Sequence, residues 1–181
     1  MASTIKQINL NPGQRAERKL LVTVAEWEEP QDGTTGVETV REVLGTRTED
    51  SSIEYNPDIQ ESTDILGNNY TDVNKTQPTQ QFDPYLILGG SRLGAYLNDI
   101  RRRNALSELT GAFTIYVITV FVGSTGQYEA ERHDECTITY DSIGGDANVN
   151  FPITVHFSNK ITTGTVDKIG ADLQFSADVT I

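Results

Sequence analysis

Residues 149–157 read Val149-Asn150-Phe151-Pro152-Ile153-Thr154-Val155-His156-Phe157, and every second residue is apolar. Residues 172–181 repeat the pattern, with Leu173, Phe175, Ala177, Val179 and Ile181 alternating against Asp172, Gln174, Ser176, Asp178 and Thr180. Side chains of a strand point to opposite faces at period two. Strict alternation therefore predicts strands with one face in a core and the other in water or against a neighbour. The second strand is expected to run to the last residue.

The 181 residues fit one domain by the usual length prior, with enough chain to bury a core. Hydrophobic residues make up only 36%, so much of the surface is polar or some segments order only in an assembly. Lysine and arginine total 14 against 26 aspartates and glutamates, a net charge of −12. Duplex binding draws on counterion release by basic groups, so the chain as a whole repels nucleic acid and anionic membranes. The charge reads as solubility, or as a surface that must not adhere to DNA passing beside it. Cys136 is the single cysteine, which excludes an intrachain disulfide. It shares a strand face with Ile138 and Tyr140 and is expected to be a buried, inert thiol. No apolar run reaches membrane-spanning length, and the N-terminus has no signal-peptide pattern.

Outward from the two alternating strands, residues 112–122 give the strongest strand pattern. Phe113, Ile115, Val117, Thr119 and Phe121 line one face, and Tyr116, Ile118, Val120 and Val122 the other. Such a strand is central and covered twice, by an opposing sheet and by the helix or a neighbouring subunit. Residues 123–126 form a hairpin turn that returns through 127–132. Residues 19–27 make another two-faced strand, and 37–46 pair back on it, with a short helix as the alternative there. Residues 91–105 read as the one helix. Ser91 is its N-cap, and Leu93, Leu97, Ile100 and Asn104 recur at helical spacing, with Tyr96 beside that stripe. Asp99 and Arg103 stand at i,i+4, and Arg101, Arg102 and Arg103 suit the negative end of the helix dipole. Residues 1–18 read as an arm with a turn at Asn11-Pro12-Gly13, and 158–170 as a connection between the two closing strands. The polar stretch 49–81 carries Ile59, Ile65, Leu66 and Tyr70 sparsely, around a Gly67-Asn68-Asn69 turn. A hairpin of residues 63–66 and 70–76 is expected inside it. A long polar segment of this kind is usually functional or disordered, and these apolar residues would be buried if a second subunit covered them.

Reactive constellations are sparse. Gly89-Gly90-Ser91-Arg92-Leu93-Gly94 lies between strand and helix, where a phosphate cradle would sit. Its glycine spacing fits neither the dinucleotide loop nor the P-loop, so it reads as a turn with an N-cap. His133-Asp134-Glu135-Cys136 gathers metal-ligand types, but neighbours on a strand face opposite ways and cannot close on one ion. With only His133 and His156 available, a zinc site or a catalytic triad has little to draw on. His156 alternates with Thr154 and is expected at the surface. No catalytic, cofactor-binding or metal residues are assigned. Three adjacent arginines on a helix make no single basic face, and ion pairs to an acidic neighbouring subunit are the better reading of them.

The order of several stretches resembles the tail tube (major tail) proteins of long-tailed bacteriophages and prophages. These are Ser62-Thr63-Asp64-Ile65-Leu66-Gly67, Tyr70-Thr71-Asp72-Val73, residues 77–85, Gly89-Gly90-Ser91-Arg92-Leu93, residues 133–138 and residues 157–167. The resemblance spans about residues 62–167. It implies a β-sandwich or barrel flanked by one helix, and subunits that join into hexameric rings whose sheets fuse into an inner barrel. It further implies stacking of rings into a hollow tube through a long loop and terminal arms. DNA passes through the lumen, which the tape measure protein fills earlier. Tail terminator and distal tail proteins are the further partners it implies. The family offers no enzymatic residues and no cofactor.

The expected fold is therefore mainly β, a single domain of residues 1–181. It is a β-sandwich or barrel with one flanking α-helix at about 91–105 and a long polar loop at about 49–81. The expected function is structural: a virion protein made in the host bacterial cytoplasm, assembling into the tail tube. Ile59, Ile65, Leu66 and Tyr70 are the candidate contacts between rings. Arg101, Arg102 and Arg103 are the candidate ion pairs between subunits. The alternatives are a monomeric β-sandwich module binding carbohydrate and, third, a glycoside-acting enzyme.

Overall fold

The computed structural model of the chain describes residues 8–31, 36–48, 50–74, 76–124 and 126–178. Residues 1–7 of the expected arm and 179–181 of the closing strand lie outside that set. The protein is mainly β, with a large antiparallel sheet and one helix. The strands are β1 (Leu21–Pro30), β2 (Val37–Val43), β3 (Ile53–Glu54), β4 (Ile59–Thr63), β5 (Asn69–Val73), β6 (Thr79–Phe82), β7 (Phe113–Ser124), β8 (Gln127–Tyr140), β9 (Ile153–His156), β10 (Lys160–Val166) and β11 (Phe175–Ala177). The helix α1 spans Arg92–Arg103. Pairing follows the order β2-β1-β7-β8-β9-β6-β3, with β10 and then β11 added on β8, and β4-β5 standing apart as a two-stranded hairpin.

One strand turns this ladder into two layers. Residues 128–134 of β8 pair with β10, and residues 137–140 pair with β9. Between them Glu135 has φ 56, and the register with β7 shifts between Phe113 and Ile115. A one-residue irregularity reverses which face every later side chain points to. The burial follows that rule. Before the bulge Ala130 points into one cluster with Val24, Tyr116, Ile118, Val166 and Leu173; after it Cys136 and Ile138 point into the other. That other cluster is the main core. It holds Ala25, Trp27, Phe113, Ile115, Phe151, Ile153 and Val155 together with Leu93, Leu97 and Ile100 of α1. Each buried Leu, Ile, Val or Phe side chain among them contributes about 1.5–3 kcal/mol over leaving it in water.

β7 is covered on both faces, as its sequence requires. One cover includes α1, since Phe113, Ile115 and Val117 share a core with Leu93, Leu97 and Ile100; the other face meets the chain's own Leu173 and Phe175, with Phe175 packed 5.7 Å from the Tyr116 ring. Residues 37–43 form a strand, not a helix, pairing antiparallel with β1. β1 starts at Leu21 because residues 18–20 make a short 3-10 turn. The stretch 149–157 enters the ladder only from Ile153. Phe151 instead donates to the Tyr85 carbonyl and Val149 accepts from Ile87, so the chain before Pro152 pairs with residues 85–87.

Three further expectations need correction. Residues 158–170 are not a mere connection: they contain β10, paired with β8 and β11. The polar stretch 49–81 is not one loop, because β3 and the inner strand β6 lie within it. Its polarity there is internal. Gln80 is fully buried, accepting from the Thr23 hydroxyl at 2.9 Å and donating to Ser51 Oγ at 3.1 Å. Asn104 does not extend the apolar stripe of the helix. It caps α1 at φ 54, a left-handed position that asparagine tolerates.

Candidate functional site

The β4-β5 hairpin is the most unusual surface of the molecule. Ile59 pairs with Val73, Ser62 with Tyr70 and Thr63 with Asn69, and every residue of both strands is exposed. A lone two-stranded hairpin is marginal in water. The chain compensates with hydrogen bonds at both ends. At the base, Asn74 donates from its amide to the Asp58 carbonyl at 2.8 Å and from its side chain to Asp58 Oδ2 at 3.2 Å. At the tip, Asp64 Oδ1 accepts from the amides of Leu66 and Asn68, both at 2.8 Å, while Oδ2 accepts from Asn68 Nδ2 at 2.9 Å and the Tyr70 hydroxyl at 3.0 Å. These donors, Asn68 foremost, hold the Asp64 carboxyl down at about 2 although it is in water. Gly67 sits at φ 84 and closes the turn.

The turn thus fixes what it presents. Ile65 is 102% exposed and Leu66 81%. Ile59 and Val73 are also exposed, and so is Tyr70, although its hydroxyl is committed to Asp64. The structure brings all four candidate contact residues onto one hairpin and adds Val73, which sequence periodicity does not single out. The strands themselves are Ile59–Thr63 and Asn69–Val73, earlier in the chain than the expected 63–66 and 70–76. The Asp64 side chain moves the boundary by turning residues 64–68 into the tip. An open cleft at the hairpin base is lined by Asn56, Asp58, Asn74, His156, Phe157 and Asn159.

The arginine triplet divides. Arg103 is paired within its own chain, to Asp99 Oδ2 at 2.7 Å and to both Glu108 oxygens at 2.8 Å. Among the described residues Arg101 reaches only Asn98 Oδ1, at 2.9 and 3.2 Å. Arg102 is exposed and has no hydrogen bond or ion pair among the described residues. Arg103 is thereby satisfied locally, whereas Arg101 and Arg102 have no carboxylate partner in that set.

The Gly89–Gly94 stretch does hold an anion, and the chain supplies it. Glu42 of β2 accepts from the amides of Arg92 at 2.8 Å and Leu93 at 3.1 Å, from Ser91 Oγ at 2.8 Å and from the Tyr85 hydroxyl at 3.1 Å. Ser91 Oγ in turn accepts from the Gly94 amide at 3.0 Å. The positive end of the helix is filled by a carboxylate fifty residues away in sequence, so no phosphate is needed there. Burial and the adjacent Glu42 push the Tyr85 phenol above its usual range. Arg92 ties the same helix end to Glu29 at 2.6 Å and Glu38 at 3.1 Å.

The residues 133–136 do not converge. His133 is buried edge-on to Phe157, with ring centroids 4.9 Å apart, and His156 is exposed and bonded to Thr139 Oγ1 at 3.0 Å. Cys136 is fully buried, and that burial pushes its thiol up, away from the reactive thiolate. Among the described residues no group of three or more His, Cys, Asp or Glu could hold a metal ion, and no helix is long and apolar enough to cross a membrane. Comparison of the chain with family models and with curated proteins finds no match.

Proposed function

We propose that the chain is a structural protein of a long-tailed phage or prophage tail, assembling into hexameric rings that stack into the hollow tube through which DNA passes. The observation that carries this reading is the β4-β5 hairpin. It orders its own turn, yet it leaves Ile65 wholly and Leu66 mostly in water. Hydrogen bonds spent on presenting an apolar tip make sense where a second copy covers that tip. The order of stretches over residues 62–167 that resembles the tail tube family supports the same reading. So does the sheet, whose described pairing leaves β2, β3 and β11 as edge strands. Unpaired edges invite pairing between chains, and a ring that joins them removes the edges altogether. A head-to-tail contact that closes around an axis and repeats along it builds a tube. The partners are other copies of the chain, with tape measure, tail terminator and distal tail proteins. DNA moves past an acidic surface without adhering.

The test is negative-stain microscopy of the purified protein as its concentration rises. The reading expects rings or filaments on the order of 100 Å wide, from ~10 Å per sheet layer around a duplex-wide bore. Hydrogen exchange across residues 49–81 should slow on assembly at the hairpin. A chain that stays monomeric at every concentration and binds a sugar would instead favour the carbohydrate module.

A further inference from the structure

The hairpin and the end of the helix complement each other in charge and in apolar character. Residues 58–74 contain four carboxylates and no lysine or arginine. Two of these are committed: Asp58 to Asn74, and Asp64 to the tip. Glu61 and Asp72 remain, with no hydrogen bond or ion pair among the described residues. They stand next to each other in the ladder, since Glu61 pairs with Thr71 and Asp72 with Gln60, and so they project from opposite faces of the ribbon. Beyond them is the apolar tip. The far end of α1 offers the counterpart. Arg101 and Arg102 have no carboxylate partner among the described residues and diverge by about 100° around the helix. Leu106, just past the helix, is 52% exposed. Arg103 is already held by Asp99 and Glu108 of its own chain.

We propose that the Arg101–Arg102 end of α1 is the receptor for the β4-β5 hairpin of a second copy. The two guanidiniums straddle the ribbon and take Glu61 and Asp72 from its two faces, while Leu106 covers part of the Ile65–Leu66 tip. This inference rests on the self-assembly reading and names the surface that the hairpin meets. It also explains why, among the described residues, two of three adjacent arginines have no carboxylate partner in a chain with a large excess of acid.

The experiment uses the full chain in three forms: wild type, Arg101→Glu with Arg102→Glu, and Glu61→Lys with Asp72→Lys. Each is checked for folding by its thermal unfolding, and assembly is followed by light scattering and microscopy. Like charges set against each other cost enough that each variant alone should need at least about tenfold more protein to assemble. A mixture of the two variants should assemble like wild type. The unaltered hairpin of the first meets the unaltered arginines of the second, and the lysines of the second meet the glutamates of the first. The milder pair Arg101→Gln with Arg102→Gln should weaken assembly without loading the helix end with negative charge. If wild type assembles and the variants match it, the receptor assignment is wrong and the tube reading stands. If the variants fail singly and also fail together, the two surfaces do not meet and the assignment is again wrong. If wild type never assembles, both fall.

Discussion

Replacing Glu42 by alanine probes the join between sheet and helix. The side chain accepts four hydrogen bonds: from the Arg92 and Leu93 amides, the Ser91 hydroxyl and the Tyr85 hydroxyl. Two of the four orphan amides at the helix start lose their acceptor, and a lost cap costs about 1 kcal/mol. Removing the negative charge from the positive end of the dipole adds roughly 0.3–1 kcal/mol. Tyr85 is only 5% exposed, and a buried hydroxyl short of a partner costs about 1–3 kcal/mol. Ser91 Oγ stays 3.2 Å from that hydroxyl and can still receive it, which favours the low end. The expected loss for Glu42→Ala is about 2–4 kcal/mol. Glu42→Gln keeps one accepting oxygen, which can face the Arg92 and Leu93 amides while its NH2 donates to the Ser91 and Tyr85 hydroxyl oxygens, and it should lose about 1 kcal/mol, mostly the charge. Urea unfolding measures both, and at a slope of roughly 2 kcal/mol/M the alanine variant should unfold about 1–2 M earlier. If alanine costs less than ~0.5 kcal/mol, or glutamine costs as much as alanine, the carboxylate is not what docks the helix, and the capping argument fails.

Ile65→Ser with Leu66→Ser should leave monomer stability within ~0.5 kcal/mol, because both residues are already in water. The same pair should raise the concentration needed for assembly on the order of a hundredfold, at ~1.5 kcal/mol for each buried side chain lost; light scattering that finds no change would refute the buried-tip reading. Asp64 sets a pH window. Its folded-state carboxyl lies at about 2, below the ordinary 3.8, so its contribution to the turn is complete above about pH 4 and disappears as pH falls through 2. The Leu66 and Asn68 amide resonances should report a midpoint near 2; a midpoint near 4 would mean that the tip network does not form in solution. Gly164→Ala would drive a Cβ into the Ser176 carbonyl oxygen and the Phe175 ring, which lies 2.7 Å away at Cζ. β11 should detach at a cost of about 2 kcal/mol, with faster hydrogen exchange at Ser176 and Ala177.

Local pattern determined a good part of this protein by itself. The two-faced alternation of β1 and β7 placed both strands in the interior, since a strand apolar on each side must be covered on each side. Ser91 and the Leu93–Leu97–Ile100 spacing fixed the helix, because cap and stripe are both written within one segment. The Gly67 turn and the scattered apolar residues marked the hairpin. What escaped depends on partners far along the chain. β10 is rich in threonine and shows no apolar alternation, and it is a strand because β8 and β11 supply its hydrogen bonds. Gln80 looks like a loop residue until Thr23 and Ser51 meet it in the interior. Glu42 carries no mark of a cap, since the amides it serves lie fifty residues later. The reversal at Glu135 was likewise invisible, because a bulge is defined against the neighbouring strand and not by its own residue. Periodicity is a property of one segment, whereas register, capping at a distance and the face a bulged strand presents belong to pairs of segments, and only the tertiary structure brings those pairs together.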